Sequence, residues 1–161
     1  MPVGAKDYKQ ALRKFASGIT VVTVAHGEER RGMTATSFAS VSLHPPLVSV
    51  SLEKKSRTRA LVLDKRIFAA NILAADQENI SRWFASPGEK PFDRIRYRAG
   101  LHGDPLLDGA LSHIECRVAQ VLESGDHDVV IGEVDASNGR DGPPLVYFDR
   151  NYRHLEEWAA G

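Results

Sequence analysis

One cysteine, no net charge and no long apolar run are what the chain offers, and each shortage removes a class of protein. Cys116 alone can form neither an intrachain disulfide framework nor a thiolate-rich zinc centre, which points to a reducing, cytoplasmic setting. Lys plus Arg number 21, and Asp plus Glu also number 21. Without an excess of cations there is no electrostatic footprint for nucleic acid and no polybasic anchor for a membrane surface. No stretch approaches the roughly 18 apolar residues of a membrane span. The opening Met1-Pro2-Val3-Gly4-Ala5-Lys6 lacks the apolar core of a signal peptide. Several chemical signatures are missing as well. There is no G-x-G-x-x-G after a strand, no G-x-x-x-x-G-K-[ST], no H-E-x-x-H and no G-x-S-x-G. The six histidines are scattered. Only His113 and Glu115 alternate on one strand face, and they read as a solvent-facing pair instead of metal ligands.

What remains is 161 residues with 42% hydrophobic content, enough for one domain spanning 1–161. Asp7 is placed to cap a first helix whose Tyr8, Leu12, Phe15 and Ala16 share one face. From Ile19 to Ala25 the residues are short and β-branched, so a strand follows, with a turn at 26–29 and a second strand from about Arg30 to Ser42. Leu47 to Leu52 alternates strictly and reads as another strand. A short helix capped by Ser56, a strand from Ile67 to Leu73 and a helix capped by Asp76 come next. A long loop runs from Ser86 to Leu107, and loops of that length inside a domain are often functional. Strands at 111–122 and 129–136 flank a hairpin turn, and 143–148 supplies a last strand. Six or seven strands with only short helices between them predict a mainly β, antiparallel barrel.

Four features suggest ligand chemistry. Gly32-Met33-Thr34-Ala35-Thr36-Ser37-Phe38 is unusually small and polar for a strand, so a planar ligand could lie against its backbone. The Ser49/Ser51 face runs into Ser56-Arg57-Thr58, where helix N–H groups, a hydroxyl and a guanidinium suit a phosphate. Gly125-Asp126-His127 presents an imidazole beside a carboxylate that can orient it. Tyr147 and Tyr152 flank Asp149-Arg150-Asn151 and bring aromatic faces beside a cation. Each also has an ordinary structural reading, as an exposed strand face, a common N-cap, a solvated turn histidine or edge packing.

In this order the features resemble the flavin reductase family with the FMN-binding split-barrel fold, the small reductases of two-component flavin-dependent monooxygenases. The most specific block is Gly32 to Leu47, and Ser56-Arg57-Thr58, Phe68-Ala69-Ala70-Asn71-Ile72-Leu73, Gly125-Asp126-His127 and Gly132-Glu133-Val134 follow it. The resemblance implies a six- to seven-stranded antiparallel split β-barrel that transfers hydride from NADH, with NADPH as the alternative, to FMN or FAD. It implies that Met33, Thr34, Ala35, Thr36 and Ser37 hold the isoalloxazine and that Ser49, Val50, Ser51 and Leu52 line the ribityl chain. Ser56, Arg57 and Thr58 would take the phosphate, and Phe84, Lys90 and Phe92 would cover the flavin. His127 would orient the nicotinamide nucleotide, with Tyr147 and Tyr152 nearby, and no side chain would serve as an essential catalytic acid or base. Pro91 separates Lys90 from Phe92, which are adjacent in many relatives. A homodimer and a separate oxygenase partner are also implied. The alternatives are an enzyme like pyridoxamine-phosphate oxidase and a non-catalytic flavin- or haem-binding module, the latter with His127 or His154 as axial ligand.

Overall fold

Twelve strands and three short helices make up the described residues 1–156 of this computed structural model. Seven of the strands form one antiparallel sheet: β2 (Thr20–His26), β3 (Glu29–Ala35), β4 (Ala39–Ser42), β5 (Leu47–Glu53), β6 (Ile67–Ile72), β9 (Ser112–Ser124) and β10 (His127–Gly139). Their spatial order is β3-β2-β6-β9-β10-β5-β4. β1 (Ser17–Gly18), β11 (Val146–Phe148) and β12 (Asn151–Arg153) make a three-stranded sheet, and β7 (Tyr97–Ala99) pairs with β8 (Pro105–Leu107).

β3 and β4 stand at opposite ends of the large sheet, yet only residues 36–38 lie between them in sequence. The sheet therefore curls until its ends approach, but no backbone ladder joins them. The result is the expected antiparallel barrel with a split in its wall. Ser37 crosses the split: its Oγ donates to the Ser51 carbonyl at 3.2 Å and accepts the Ser51 N–H at 3.0 Å. The single strand expected from Arg30 to Ser42 is thus two strands. The chain leaves the edge of β2 after Ala35 and joins the edge of β5 at Ala39.

Both faces of β2 are buried, which explains its run of β-branched residues. Val22 and Val24 point into the barrel with Val50, Leu52, Phe68, Cys116 and Val130. Ile19, just before the strand, and Val21 point outward into a second cluster with Leu73, Phe84, Phe92, Leu107 and Leu145. Helix α2 (Arg57–Lys65) adds Leu61 and Val62 to the inner cluster, and α3 (Glu78–Ala85) adds Phe84 to the outer one. The long loop is tied down by a buried polar network. Asn71 Nδ2 donates to the Val21 carbonyl at 2.9 Å and to Thr23 Oγ1 at 3.0 Å, while Asn71 Oδ1 accepts the Leu107 N–H at 2.8 Å. Thr23 in turn donates to the Pro105 carbonyl at 2.6 Å. These bonds satisfy groups that would be costly to bury unpaired, and they place the β7–β8 ribbon inside what the sequence suggests is plain loop.

Local details differ from expectation in instructive ways. Ser56 does cap α2, accepting the Arg59 N–H at 3.3 Å. Helix α1 (Ala5–Leu12) starts from Gly4 without a side-chain cap, and Asp7 sits in its first turn instead. Its Tyr8 and Leu12, and Phe15 beyond it, remain exposed and are not folded onto the sheet. The N-cap position of α3 is Gln77, not Asp76, and it makes no side-chain cap; the Gln77 side chain instead accepts the Ala74 N–H at 3.0 Å and donates to the Asp108 carbonyl at 2.9 Å. His113 and Glu115 are buried, contrary to the solvent-facing reading. His113 bonds to Asn138 Oδ1 at 2.9 Å and the Leu107 carbonyl at 2.8 Å, and Glu115 accepts the Leu101 N–H. Their polarity fastens the long loop to the sheet. No helix among the described residues is long and apolar enough to cross a membrane.

Candidate functional site

The N-terminus of α2 opens into a cleft of about 380 Å³ between the middle of β3, the end of β5 and the segment after α3. Arg30, Arg31, Lys55, Arg57 and Lys90 line it with Glu53, and the carboxylate of Glu89 reaches Arg57 from beside the wall. Helix starts leave backbone N–H groups without intrahelical partners and carry partial positive charge. With Ser56 and Thr58 also in the wall, this end of the site can hold a phosphate. The cationic excess was hidden in the balanced overall charge. Arg30-Arg31 and Lys54-Lys55, each beside a recognised segment, were the signal available in the sequence.

From that cleft β3 leads away as an edge strand. β2 pairs with only one side of it, so every second N–H and C=O on the other side faces outward. Met33 lines the cationic cleft, while Thr34 and Thr36 line a smaller recess of about 200 Å³ with Ile19, Ser81, Tyr147 and Tyr152. Ser37 and Thr36 continue into an apolar recess of about 410 Å³ beside Leu12, Phe15 and Tyr147. The strand thus connects an anion-binding end to an aromatic end, with open backbone edge between. Such an edge can read the rim of a planar heteroaromatic. The Thr34 hydroxyl already donates to the Ser81 carbonyl at 2.7 Å and ties α3 to the strand. Ala35 is buried, whereas Thr36 and Ser37 are exposed.

Gly32 needs its missing side chain for a reason internal to the protein. A Cβ there would lie 2.6 Å from the Phe84 ring. Phe84 is buried and packs tilted on Phe92 at 5.3 Å, and Phe92 meets Tyr97 edge-on at 5.5 Å. Phe84 therefore backs the cleft from within the outer core. Phe92 turns its ring into that core, where Phe84 and Tyr97 are its partners. Lys90 does stand at the rim, with Nζ donating to the Gly88 carbonyl at 2.8 Å. On β5, Ser49 and Ser51 are half-buried, but Val50 and Leu52 are fully inside the barrel. Strand alternation leaves only backbone from those two for a ligand.

His127 starts β10 opposite Glu53. Its Nδ1 lies 2.7 Å from Asp126 Oδ1, and this partner holds the Asp126 carboxyl below its ordinary range. The turn is anchored from below by residues that sequence reading missed. Asp128 is fully buried and receives Arg59 through Nε at 2.7 Å and through Nη2, while the Lys54 N–H donates to the Asp126 carbonyl at 3.0 Å. Lys54 and Arg59 flank the phosphate cleft, so the histidine turn and the α2 N-terminus are braced together. Tyr147 and Tyr152 line the recess beside Thr34 and Thr36. They pack edge-on to each other at 5.5 Å around the Thr34 recess, with Tyr152 Oη 2.9 Å from Ser81 Oγ.

Comparison with known proteins agrees with this geometry. The flavin reductase like domain matches residues 12–156. The chain is 41% identical over 151 residues to an NADH-dependent flavin reductase of Rhodococcus sp, covering 92% of this chain and 85% of that protein. It is 40% identical over 149 residues to the reductase component of 4-hydroxyphenylacetate 3-monooxygenase of Thermus thermophilus, covering 92% and 95%. Among solved structures, a Streptomyces globisporus NADH:FAD oxidoreductase in complex with NAD and FAD fragments aligns with a TM-score of 0.91 and 35% identity over 99% of each chain. On motifs, fold and these likenesses, the chain belongs to the family of flavin reductase like domains.

Proposed function

We propose that this chain is a cytoplasmic NAD(P)H:flavin oxidoreductase that passes hydride from NADH to FMN or FAD and releases reduced flavin to a separate monooxygenase. The observation that carries this reading is the continuous path from the cationic cleft at α2, along the open edge of β3, to the aromatic recess. When bound, the flavin supplies the redox chemistry, accepting the hydride and later passing the electrons on.

The residues do the rest. Ser56, Arg57 and Thr58 hold the phosphate, and Ser49 and Ser51 face the ribityl chain. Outward backbone N–H groups between Met33 and Ser37 steady negative charge at the ring edge without a titrating acid. His127, fixed by Asp126, orients the nicotinamide nucleotide so that donor and acceptor stack. Tyr147, Tyr152 and Thr36 form the wall at the aromatic end. Exposed Leu12 and Phe15 leave an apolar surface beside that end. A second copy covering it would exclude water from the ring, so the working unit is a homodimer of twice 17.7 kDa.

Anaerobic mixing with NADH and either FMN or FAD should bleach the flavin, and light scattering should return the dimer mass. If neither NADH nor NADPH bleaches either flavin, the chain is a binding module and the enzyme reading fails.

A further inference from the structure

The two guanidinium groups best placed for a phosphate share a carboxylate from the protein itself. Glu89 Oε1 lies 2.9 Å from Arg57 Nη1 and 3.8 Å from Arg31 Nη1. Glu89 stands between Gly88 and Lys90, both in the cleft wall, and Gly88 has φ of +89° in the turn that brings the carboxylate across. Arg31 is also held by Glu29 at 2.8 Å, so it has an anchor apart from Glu89, whereas Glu89 is the only carboxylate paired with Arg57 among the described residues.

We propose that Glu89 is a specificity-determining residue of the flavin site, competing with the ligand's phosphate for Arg57 and Arg31. The inference rests on the flavin reading above and deepens it. Both partners of the Glu89–Arg57 pair are about three-quarters exposed, with side-chain accessibilities of 74% and 73%. An exposed pair of this kind is weak and exchangeable. A phosphate carries more charge than a carboxylate and can use the α2 N–H groups as well, so it displaces Glu89. The displaced carboxylate stays tethered beside the phosphate and repels it. The penalty falls only on ligands with a phosphate, so Glu89 narrows the preference for FMN over riboflavin. It thereby keeps phosphorylated flavin weakly held, as release to a separate oxygenase requires.

Dissociation constants for FMN and riboflavin, read by quenching of flavin fluorescence, test this in the full chain with Glu89→Gln. The exposed loop position keeps the fold, which circular dichroism verifies. FMN should bind about 2- to 5-fold more tightly to the variant, the gain expected from removing one exposed like charge. Riboflavin should bind equally to both proteins, and the FMN gain should shrink in high salt. Unchanged FMN affinity, or an equal change for FMN and riboflavin, overturns the role of Glu89 while leaving the flavin reading intact. Failure of the native chain to bind any flavin overturns both.

Discussion

Asp104 offers the sharpest quantitative test of the fold. Its carboxyl is completely buried; Oδ1 accepts the Ala25 N–H at 2.9 Å, and Oδ2 has no hydrogen-bond partner. Burial pushes its pKa up to about 6, with Glu115 adding to the rise and the Ala25 N–H and His102 opposing it. An unfolded Asp titrates near 3.9. The folded state therefore holds the proton more tightly, and the group's contribution to stability falls as pH rises from about 4 through about 6. The displacement of about two pH units, at about 1.4 kcal/mol each, corresponds to roughly 3 kcal/mol lost by pH 7.5 and about half that by pH 5. Asp104→Asn removes the ionisation but keeps an acceptor for Ala25. Its amide adds a fixed cost at the Oδ2 position, which cancels when one variant is compared across pH. Urea unfolding of both proteins from pH 5 to 7.5 should show the variant gaining roughly 1.5 kcal/mol relative to the native chain. A difference independent of pH would mean that Asp104 is not the buried acid described here.

Other substitutions probe the core and the site. Gly132→Ala should lower stability by about 1–3 kcal/mol in thermal unfolding, because its Cβ would lie 2.6 Å from Phe68 Cζ and 2.8 Å from Cys116 Cβ. Arg59→Ala strands the buried Asp128 carboxylate and should cost about 3–5 kcal/mol; adding Asp128→Asn should restore most of it in denaturant titrations. Arg57→Ala should weaken FMN binding about tenfold at low salt, with riboflavin unaffected in the same fluorescence titration. His127→Ala should raise the Michaelis constant for NADH about five- to tenfold and change turnover less than twofold; collapsed turnover with unchanged binding would assign His127 to the chemistry instead.

Sequence patterns revealed elements better than their partners. The alternation of Leu47 to Leu52 and the β-branched run at Ile19 to Ala25 report burial directly, so both strands were legible. Ser56 was legible because an N-cap is a local event decided within three residues. His113, Glu115 and Asp104 misread as surface or passed unnoticed because what satisfies them lies on other elements that no local pattern announces: Leu107 and Asn138, Leu101, and Ala25. Tyr8, Leu12 and Phe15 show the converse failure. Their spacing is that of a buried helix face, but nothing among the described residues covers it. Periodicity says that a face is apolar and never what it meets.

The site shows the same division between local and long-range information. Met33 to Ser37 and Ser56 to Thr58 stood out as segments because a run of small residues and a helix start are both local patterns, visible without knowing the fold. Phe92 was not legible in the same way, because a loop aromatic looks alike in sequence whatever it packs on, and its contacts with Phe84 and Tyr97 belong to the fold. Charge was the most misleading property. A chain with 21 cations and 21 carboxylates looks electrostatically empty. Folding separates those charges, bringing Arg30, Arg31, Lys55, Arg57 and Lys90 around one cleft and sending most carboxylates elsewhere. The zero net charge and the cationic cleft are compatible because a cleft focuses local charge while distant charges are screened within about 10 Å. On the proposed function, an anionic flavin would be drawn by a local field that the whole molecule does not possess, and a single loop carboxylate such as Glu89 would be enough to temper it.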